Sequence, residues 1–158
     1  MNTSDLVDNH EGKLRQCELR LDRYGQTQAF SGVIATVKTF EDSVLLKQYL
    51  AEPGEGRVMV VDGAGSQRSA LVGINLVTLA QSNGWAALIV NGGIRDSAAI
   101  NQQSLPVYAS HRSPMRGTKL GIGEKDVVVT FGNIDFVPGH HLYADDDGIL
   151  VSEFSLSL

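Results

Sequence analysis

The sequence predicts a single α/β domain over residues 1–158, with a central sheet of βαβ units and a β-rich C-terminal half. Two similar units indicate the βαβ part, because in each a short apolar run ends in glycine and a helix-like stretch follows. Runs rich in valine and isoleucine, separated by a helix, are typical of parallel strands joined by a right-handed crossover. The last part of the chain has the alternation and turn residues of antiparallel hairpins.

The N-terminal elements precede the two units. The chain is polar up to residue 25, which favours a short helix and an irregular lead-in. FSGVIATVKTF (30–40) alternates as a strand does, and EDSVLLKQYLAE (41–52) has helical spacing. Glu41 and Asp42 would bring negative charge to the first turn of that helix.

The two units and the C-terminal strands follow in order. In the first unit RVMVVDGAG (57–65) reads as a strand and QRSALVGINLVTLAQSNG (67–84) as its helix. In the second, AALIVNGGIRD (86–96) reads as a strand and SAAINQQS (97–104) as a helix. LPVYAS is strand-like, DVVVTFGNIDFVPG predicts a hairpin, and HHLYADDDGILVSE predicts two short strands around an Asp-rich turn.

Composition excludes several classes of function. Apolar residues make up 42% and charged residues 20%, with a net charge of −5, which argues against broad binding to nucleic acid phosphates. The net charge is still compatible with a small local site for an anion and with a basic protein partner. Cys17 is the single cysteine, so no internal disulfide forms, and a small buried or half-buried side chain is favoured there over a reactive thiol. No signal peptide or membrane-spanning run is found, which predicts a cytoplasmic location with no membrane partner.

The first glycine turn, VVDGAGSQRSAL, has part of a dinucleotide-binding pattern. The pattern fails because Arg68 stands at its third glycine and no acidic residue closes the next strand. A tight turn is therefore favoured over a nucleotide site. Both glycine turns should nevertheless lie at the carboxyl ends of neighbouring parallel strands, where ligands of α/β sheets collect. On this hypothesis Arg68, Gly73–Leu76, Arg95 and Asp96 converge on one cleft.

Arg95 and Asp96 allow two interpretations from the residues alone. Asp96 could be the N-cap of the following helix, with Arg95 paired to a surface carboxylate. Alternatively, Asp96 could hold Mg²⁺, which keeps much of its hydration shell, while the Arg95 guanidinium binds a substrate carboxylate. Together the two side chains would bind a 2-oxo acid.

Several longer motifs resemble a known family. FSG, VKTFEDSVLL, VVDGAGSQRSALVG, GGIRD and YADDDGI together resemble the regulator of ribonuclease activity A, from about Ser4 to Glu153. That family is similar to class II pyruvate aldolases that act on 4-hydroxy-4-methyl-2-oxoglutarate and also decarboxylate oxaloacetate. The resemblance implies a compact β/β/α swivelling fold and a ring-shaped homotrimer with clefts between subunits.

The resemblance also implies residue roles. Arg95 aligns with the substrate-binding arginine and Asp96 with the ligand of a divalent cation, Mg²⁺ or Mn²⁺, so both are candidate catalytic residues. The substrate loop would be Gly73, Ile74, Asn75 and Leu76. Two positions depart from the aldolase pattern, since Ala99 and Ile74 stand where acidic residues are found. These departures favour decarboxylation of oxaloacetate over aldol cleavage.

Two functions of different classes therefore remain. The first is a metal-dependent lyase acting on small 2-oxo acids, in which Arg95 holds the carboxylate and Asp96 the metal. The second, implied by the resemblance, is a protein inhibitor of ribonuclease E that masks the RNA-binding regions of that enzyme. The acidic net charge is compatible with binding to basic segments of such a partner.

Other chemistry-bearing residues favour structural roles. His140 and His141 are neighbours on a strand and point to opposite faces, so we expect them at a surface or subunit interface. The aspartates at 145–147 lack the spacing of a Ca²⁺ loop and predict a solvated hairpin turn. Trp85 is expected in the core or the trimer interface. Ser66 and Ser69 lack the His and Asp partners of a nucleophile.

Overall fold

One mixed sheet organises the chain in the computed structural model, which describes residues 1–158. The helices are α1 (Thr3–Asn9), α2 (Val44–Leu50), α3 (Ile74–Ser82) and α4 (Ser97–Asn101). The first seven strands are β1 (Arg15–Gln16), β2 (Asp22–Tyr24), β3 (Phe30–Lys38), β4 (Val58–Asp62), β5 (Ala70–Val72), β6 (Ala87–Ile94) and β7 (Val107–Arg112). The remaining strands are β8 (Glu124–Lys125), β9 (Val129–Phe131), β10 (Ile134–Phe136), β11 (His141–Asp145) and β12 (Gly148–Ser152).

The sheet has a parallel centre and antiparallel edges. Its main path runs β1-β12-β11-β3-β4-β6-β7-β2, with β5 paired to β6 and β8 paired to β3. The pairs β3–β4, β4–β6 and β6–β7 are parallel. Because β4 and β6 are adjacent, from Val58↔Ala87 to Asp62↔Asn91, the glycine turn after β4 and the end of β6 lie at one edge of the sheet. The second predicted glycine turn is wrong, because Gly92 and Gly93 belong to β6 itself.

Both faces of the parallel centre are buried, which explains its nearly continuous apolar runs. Met59 and Leu88 belong to the core on one face, where helices α2, α3 and α4 contribute Leu46, Val77 and Ile100. Alternate residues face the other core, which the β9–β10 hairpin and the β11–β12 pair also line, and they are Val58, Val60, Ala87 and Ile89. The predicted α/β fold with a β-rich C-terminal half is confirmed.

The helix predicted over 67–84 is wrong in its first part. Residues 70–72 form β5, and helix α3 begins at Ile74 after Gly73. Strand β5 pairs with the end of β6 through Ala70↔Gly93 and Val72↔Ile94, beyond the point where β4 has left the sheet. This non-local pairing outweighs the local helical pattern, as tertiary context commonly does.

The start of α2 also differs from expectation. Neither Glu41 nor Asp42 lies in the first helical turn, which begins at Val44. Asp42 still serves the helix, because its Oδ1 accepts a hydrogen bond from Val44 N at 3.1 Å. Glu41 instead has a left-handed backbone conformation with φ of 53°, and this turn precedes the helix.

The two predicted C-terminal hairpins are present. In the first, β9 and β10 are joined by Gly132 and Asn133, both with φ of 63°. In the second, β11 pairs with β12 around the Asp-rich turn. This turn is more than a solvated connection, because Asp145 accepts hydrogen bonds from Thr3 N at 2.8 Å and Thr3 Oγ1 at 2.6 Å. Burial would raise the pKa of Asp145, but these hydrogen bonds outweigh it and lower the pKa.

Trp85 and Cys17 occupy core positions. Trp85 is 4% exposed and meets the Tyr49 ring edge-on with centroids 5.6 Å apart, so its predicted core position holds. Cys17 is buried too, and burial raises the pKa of its thiol. The longest helix, α3, has nine residues, well short of the roughly 20 that a bilayer crossing needs.

Candidate active site at the end of strand β6

The end of β6 meets the start of α3 at the carboxyl edge of the sheet. Arg95 N donates a hydrogen bond to the Val72 carbonyl at 2.9 Å, which extends the β5–β6 pairing by one step. Gly73, the next residue after β5, therefore lies beside Arg95 and Asp96. The substrate loop and the Arg-Asp pair, 22 positions apart from Gly73 to Arg95 in the sequence, are neighbours in the fold.

Gly73 matters to the site through the space it leaves and not through its backbone angles. Its φ of −125° and ψ of −174° are extended values that any residue adopts. A Cβ at this position would lie 2.9 Å from Asp96 Oδ2 and 3.4 Å from Arg95 Cγ. The first of these distances is shorter than real Cβ contacts allow. A side chain at position 73 would therefore displace the Asp96 carboxylate from its present place.

Asp96 stands at the N-cap position of α4 but does not cap that helix with its side chain. Its backbone is left-handed, with φ of 57° and ψ of 37°. The Oδ2 atom accepts a hydrogen bond from Ile74 N at 3.0 Å, so the carboxylate caps α3 instead. The Asp96 side chain is exposed, and Oδ1 has no protein donor. One oxygen of this carboxylate is therefore available to a ligand.

Arg95 has no carboxylate partner. The three ion pairs of the molecule are made by Arg23, Arg68 and Lys125, and Arg95 does not pair with Asp96 either. Arg95 is half-buried, and its stem lies against Gly73. The interpretation in which Arg95 is neutralised by a surface carboxylate is therefore wrong for this chain. A guanidinium with free donors suits a carboxylate ligand.

The first turn of α3 adds backbone donors to the same place. Val77 N makes the first helical hydrogen bond, to Gly73 O, and Ile74 N is taken by Asp96. The amides of Asn75 and Leu76 have no protein acceptor, as is usual at a helix N-terminus. The Leu76 side chain lies in the core and Ile74 packs against it, so these two residues face the site through their backbones.

Arg68 was expected in the same cleft, but its guanidinium is engaged elsewhere. It contacts Glu41 at two points, Nε to Oε2 at 2.8 Å and Nη2 to Oε1 at 3.0 Å. It also lies 5.7 Å from the centre of the Phe40 ring. The Ser66 hydroxyl and then Arg68 hold the pKa of Glu41 below its ordinary value.

A hydrogen-bonded group that the sequence did not reveal surrounds that ion pair. The Ser66 hydroxyl donates to Glu41 Oε2, and the Ser66 carbonyl is hydrogen-bonded to His111 Nε2. His111 Nδ1 lies 2.9 Å from Ser110 Oγ, which donates to Gly92 O at 3.0 Å. These contacts fix the 63–69 loop to Glu41 after β3 and to His111 of β7. In the sequence only Glu41 and Asp42, the acidic pair after β3, point to these contacts. That pair has a simpler interpretation in the sequence, as negative charge at the first turn of α2.

Asp42 holds a second loop at this edge of the sheet. Its buried carboxylate accepts hydrogen bonds from Thr118 Oγ1 at 2.8 Å, Leu120 N at 2.5 Å and Gly121 N at 3.2 Å. Burial would raise the pKa of Asp42, but the hydrogen bonds from these groups and from Val44 N outweigh burial and lower it. The segment from Thr118 to Gly121 is thereby tied to the end of β3.

The candidate site is an open shelf and not a cavity. Two depressions, of about 510 and 570 Å³, lie beside the Asp-rich turn and beside Lys13 and His140, and neither includes Arg95 or Asp96. The chemistry of this edge nevertheless indicates a site, because a free guanidinium, a free carboxylate oxygen and free backbone amides lie together there.

The donor set limits which metal could bind. No group of three or more His, Cys, Asp or Glu side chains is placed to hold an ion, so a closed zinc-type site does not fit. A single exposed carboxylate with one free oxygen does fit Mg²⁺ or Mn²⁺, which retain waters and take few protein ligands. Asp96 is the residue that meets this requirement.

Comparison with known proteins agrees with the fold and the motifs. The RraA-like family, described as Aldolase/RraA, matches residues 2–151. A protein of Aromatoleum aromaticum with the provisional name 4-hydroxy-4-methyl-2-oxoglutarate aldolase is 47% identical over 154 residues, covering 98% of this chain and 97% of that protein.

Two solved structures are similar along almost the whole chain. One, from Geobacillus kaustophilus HTA426, is described as S-adenosylmethionine: 2-dimethylmenaquinone methyltransferase and has a TM-score of 0.96 at 44% identity, covering 99% and 97% of the two chains. The other is the RNA-processing inhibitor RraA from Thermus thermophilis, with a TM-score of 0.95 at 34% identity, covering 99% and 95%. The names of these relatives state different activities. The matches nevertheless cover almost the whole chain, which is enough to assign the family. The chain belongs to the RraA-like family.

Proposed function

We propose that this protein is a divalent-metal-dependent lyase that acts on small 2-oxo acids, with decarboxylation of oxaloacetate as its main reaction. One observation carries the proposal. An unpaired guanidinium, at Arg95, and a carboxylate with one free oxygen, at Asp96, flank Gly73 at the N-terminus of α3. The related protein named as a 4-hydroxy-4-methyl-2-oxoglutarate aldolase supports chemistry on the same class of substrate.

Arg95 and the α3 amides would bind the substrate. The guanidinium can offer two parallel hydrogen bonds to a carboxylate, which fixes the orientation as well as the position of a 2-oxo acid. The free amides of Asn75 and Leu76 and the positive end of the helix dipole favour a second anionic oxygen. These donors are fixed by the fold, so they need little rearrangement when charge develops on the substrate.

Asp96 would hold the metal through its free oxygen. When bound, a divalent cation supplies Lewis-acid stabilisation of the charge that develops on the keto oxygen as a carbon–carbon bond breaks. The role of Asp96 is to keep that ion beside Arg95. The left-handed backbone of Asp96 and its bond to Ile74 N turn the carboxylate toward Gly73 and away from its own helix.

The residues present favour decarboxylation over aldol cleavage. Loss of CO₂ from oxaloacetate leaves the electron pair on the pyruvate fragment and needs no protein base to start. Aldol cleavage must remove a proton from a 4-hydroxyl group, and a positioned general base serves that step. Ala99 and Ile74 supply no such group where the aldolase pattern has acidic residues.

The proposal is tested by the variant Asp96→Ala. Wild-type protein with Mg²⁺ or Mn²⁺ should convert oxaloacetate to pyruvate faster than the metal alone, followed with a coupled pyruvate assay. Asp96→Ala should fall to the rate of the free metal. Asp8→Ala is the matched control, because Asp8 is an exposed carboxylate on α1 far from this edge in sequence. Equal rates in wild type and Asp96→Ala would contradict the proposal.

A second proposed function is binding to basic segments of ribonuclease E. It rests on a depression of about 510 Å³ in which the acidic side chains outnumber the basic ones, Glu18, Asp22, Asp145, Asp146 and Asp147 against Arg20 and Arg23. The relative from Thermus thermophilis, an RNA-processing inhibitor, supports it. A lysine- and arginine-rich peptide should bind at low ionic strength and dissociate at high salt, as measured by fluorescence anisotropy. No binding at low salt would contradict this function.

A homotrimer would enclose the open shelf. Several large apolar side chains near this edge are exposed in the single chain, namely Phe40, Met115, Leu120 and Ile122. Contiguous exposed apolar groups commonly mark protein interfaces. Light scattering after gel filtration should give three times the 17.0 kDa chain mass, and a monomeric mass would overturn the assembly.

A further inference from the structure

The hydrogen bond between Ile74 N–H and Asp96 Oδ2 joins the start of α3 to the exposed carboxylate at 3.0 Å. We propose that this backbone N–H is a positioning group that holds Asp96 ready to bind the metal. The inference rests on the proposed function, since it assumes that Asp96 is the metal ligand. It adds a role for Ile74 that its apolar side chain does not reveal.

Nothing else in the chain holds the Asp96 side chain in place. Its carboxylate makes no bond to α4, and its oxygens have no second protein donor. The side chain is exposed, so without this bond it would be free to rotate in water. The left-handed backbone at φ of 57° sets the direction in which the side chain leaves the chain, and Ile74 N–H then fixes its rotation.

The hydrogen bond between Ile74 N–H and Asp96 Oδ2 also determines which polar groups remain for the metal and which remain for the substrate. Oδ2 is occupied by Ile74, which leaves Oδ1 as the oxygen for a single-oxygen contact with a cation. At the helix end, Ile74 N–H serves the carboxylate, and the amides of Asn75 and Leu76 remain for the substrate. Metal ligand and substrate loop are thus parts of one hydrogen-bonded unit, as outer partners of metal ligands commonly are.

Proline at position 74 removes this donor with little other change. Ile74 is the first residue of α3, the position at which proline is best tolerated because its N–H has no helical partner. Gly73 before it is extended, with φ of −125° and ψ of −174°, which a following proline favours. Ile74→Ala is the matched control, because it also removes the side chain but keeps the N–H.

The readout is the affinity for Mn²⁺, measured by electron paramagnetic resonance on the full chain without substrate. We expect Ile74→Pro to bind Mn²⁺ about 10- to 100-fold more weakly than Ile74→Ala, as for other outer-shell changes. Equal affinities in the two variants, with Asp96→Ala much weaker than both, would overturn this inference and leave the proposed function standing. Unchanged Mn²⁺ binding in Asp96→Ala would overturn both.

A second measurement covers the case in which Ile74→Pro does not fold. Amide hydrogen exchange of wild type should show Ile74 protected, since its N–H is bonded to Asp96. In Asp96→Ala the exchange of Ile74 should quicken while that of Val77, which is bonded to Gly73 O, stays slow. Unchanged protection of Ile74 in Asp96→Ala would overturn the inference.

Discussion

Arg68 and Glu41 form a two-point ion pair, with Nε–Oε2 and Nη2–Oε1 distances of 2.8 and 3.0 Å. This pair separates the roles of two arginines that follow neighbouring strands. The guanidinium of Arg68 is satisfied by a carboxylate of its own chain, whereas that of Arg95 is left for a ligand. Both residues carry the same charge, and they differ in that only Arg68 has a carboxylate partner within the chain.

Arg95→Lys should weaken substrate binding more than it slows the chemical step. Lysine keeps the positive charge but loses the two parallel donors that match a carboxylate. We expect KM for oxaloacetate to rise by about tenfold, close to the loss of one charged hydrogen bond, with a smaller change in kcat. Steady-state kinetics at saturating Mg²⁺ measure both. Arg68→Lys is the control and should keep the wild-type KM; a similar rise in both variants would contradict the assignment.

Gly73→Ala should damage the site more than the fold. The added Cβ would lie 2.9 Å from Asp96 Oδ2, so the exposed carboxylate must move, whereas the 3.4 Å distance to Arg95 Cγ is close to an ordinary contact. Because the carboxylate can move into solvent, we expect a change of about 0.5 kcal/mol or less in the free energy of unfolding and a larger relative loss of kcat/KM.

The matched control for this change is Gly148→Ala. A Cβ at Gly148 would meet only Gln16 Nε2, at 3.6 Å, which is an ordinary contact. Urea unfolding and the oxaloacetate assay should show little change in this variant. Wild-type kcat/KM in Gly73→Ala would show that Arg95 and Asp96 do not act where we place them.

Asp42→Asn should destabilise the protein in a pH-dependent way. The variant keeps the shape of the side chain but weakens the hydrogen bonds from Thr118, Leu120 and Gly121. We expect a loss of about 1–3 kcal/mol in the free energy of unfolding at pH 7. The measurement is urea unfolding of both proteins between pH 3 and 7.

The direction of the pH dependence follows from the lowered pKa of Asp42 in the fold. Its stabilising effect is complete above the unfolded-state pKa of about 3.9 and is lost as the pH falls through the lower folded-state value. The difference between wild type and Asp42→Asn should therefore be constant near neutral pH and shrink below about pH 4. A difference that grows in acid would contradict this account.

Removal of divalent metal should abolish activity without unfolding the protein. Asp96 is a single exposed carboxylate at a helix end, and no cluster of ligands holds the core together. Chelation with EDTA should therefore lower the thermal midpoint only slightly, by the loss of ligand binding, unlike the loss of a structural zinc ion. Calorimetry with and without EDTA, followed by Mn²⁺ addition to restore turnover, checks this. A large fall in the midpoint would indicate a structural metal.

The fold was largely predictable because its signals are local. The apolar runs of β4 and β6, each followed by glycine, identify adjacent parallel strands, and the Gly132–Asn133 turn identifies the β9–β10 hairpin. The wrong helix prediction over 67–84 arose where a contact between residues distant in the sequence determines the structure. Residues 70–72 carry a helix-compatible pattern, and only the free edge of β6 next to them makes them a strand.

The sequence predicted which residues form the candidate site, but it did not predict the hydrogen bonds between them. Arg95 and Asp96 stand together after a strand, which marks them without any structure. The contact of Asp96 with Ile74 depends on β5 lying beside β6, and the contact of Glu41 with Arg68 depends on β3 lying beside β4. A pattern read along the chain cannot supply either pairing.

Strand β5 has a consequence for how the protein loses activity. Arg95 and Gly73 are kept together by this three-residue strand, while β4 supports only the earlier part of β6. All three residues of β5 are buried, and Leu71 and Val72 share the core with Val77 of α3. Elements that belong to the core open only with the global unfolding of the domain. Heating should therefore abolish activity together with the fold, so that the midpoint of heat inactivation coincides with the one that calorimetry records.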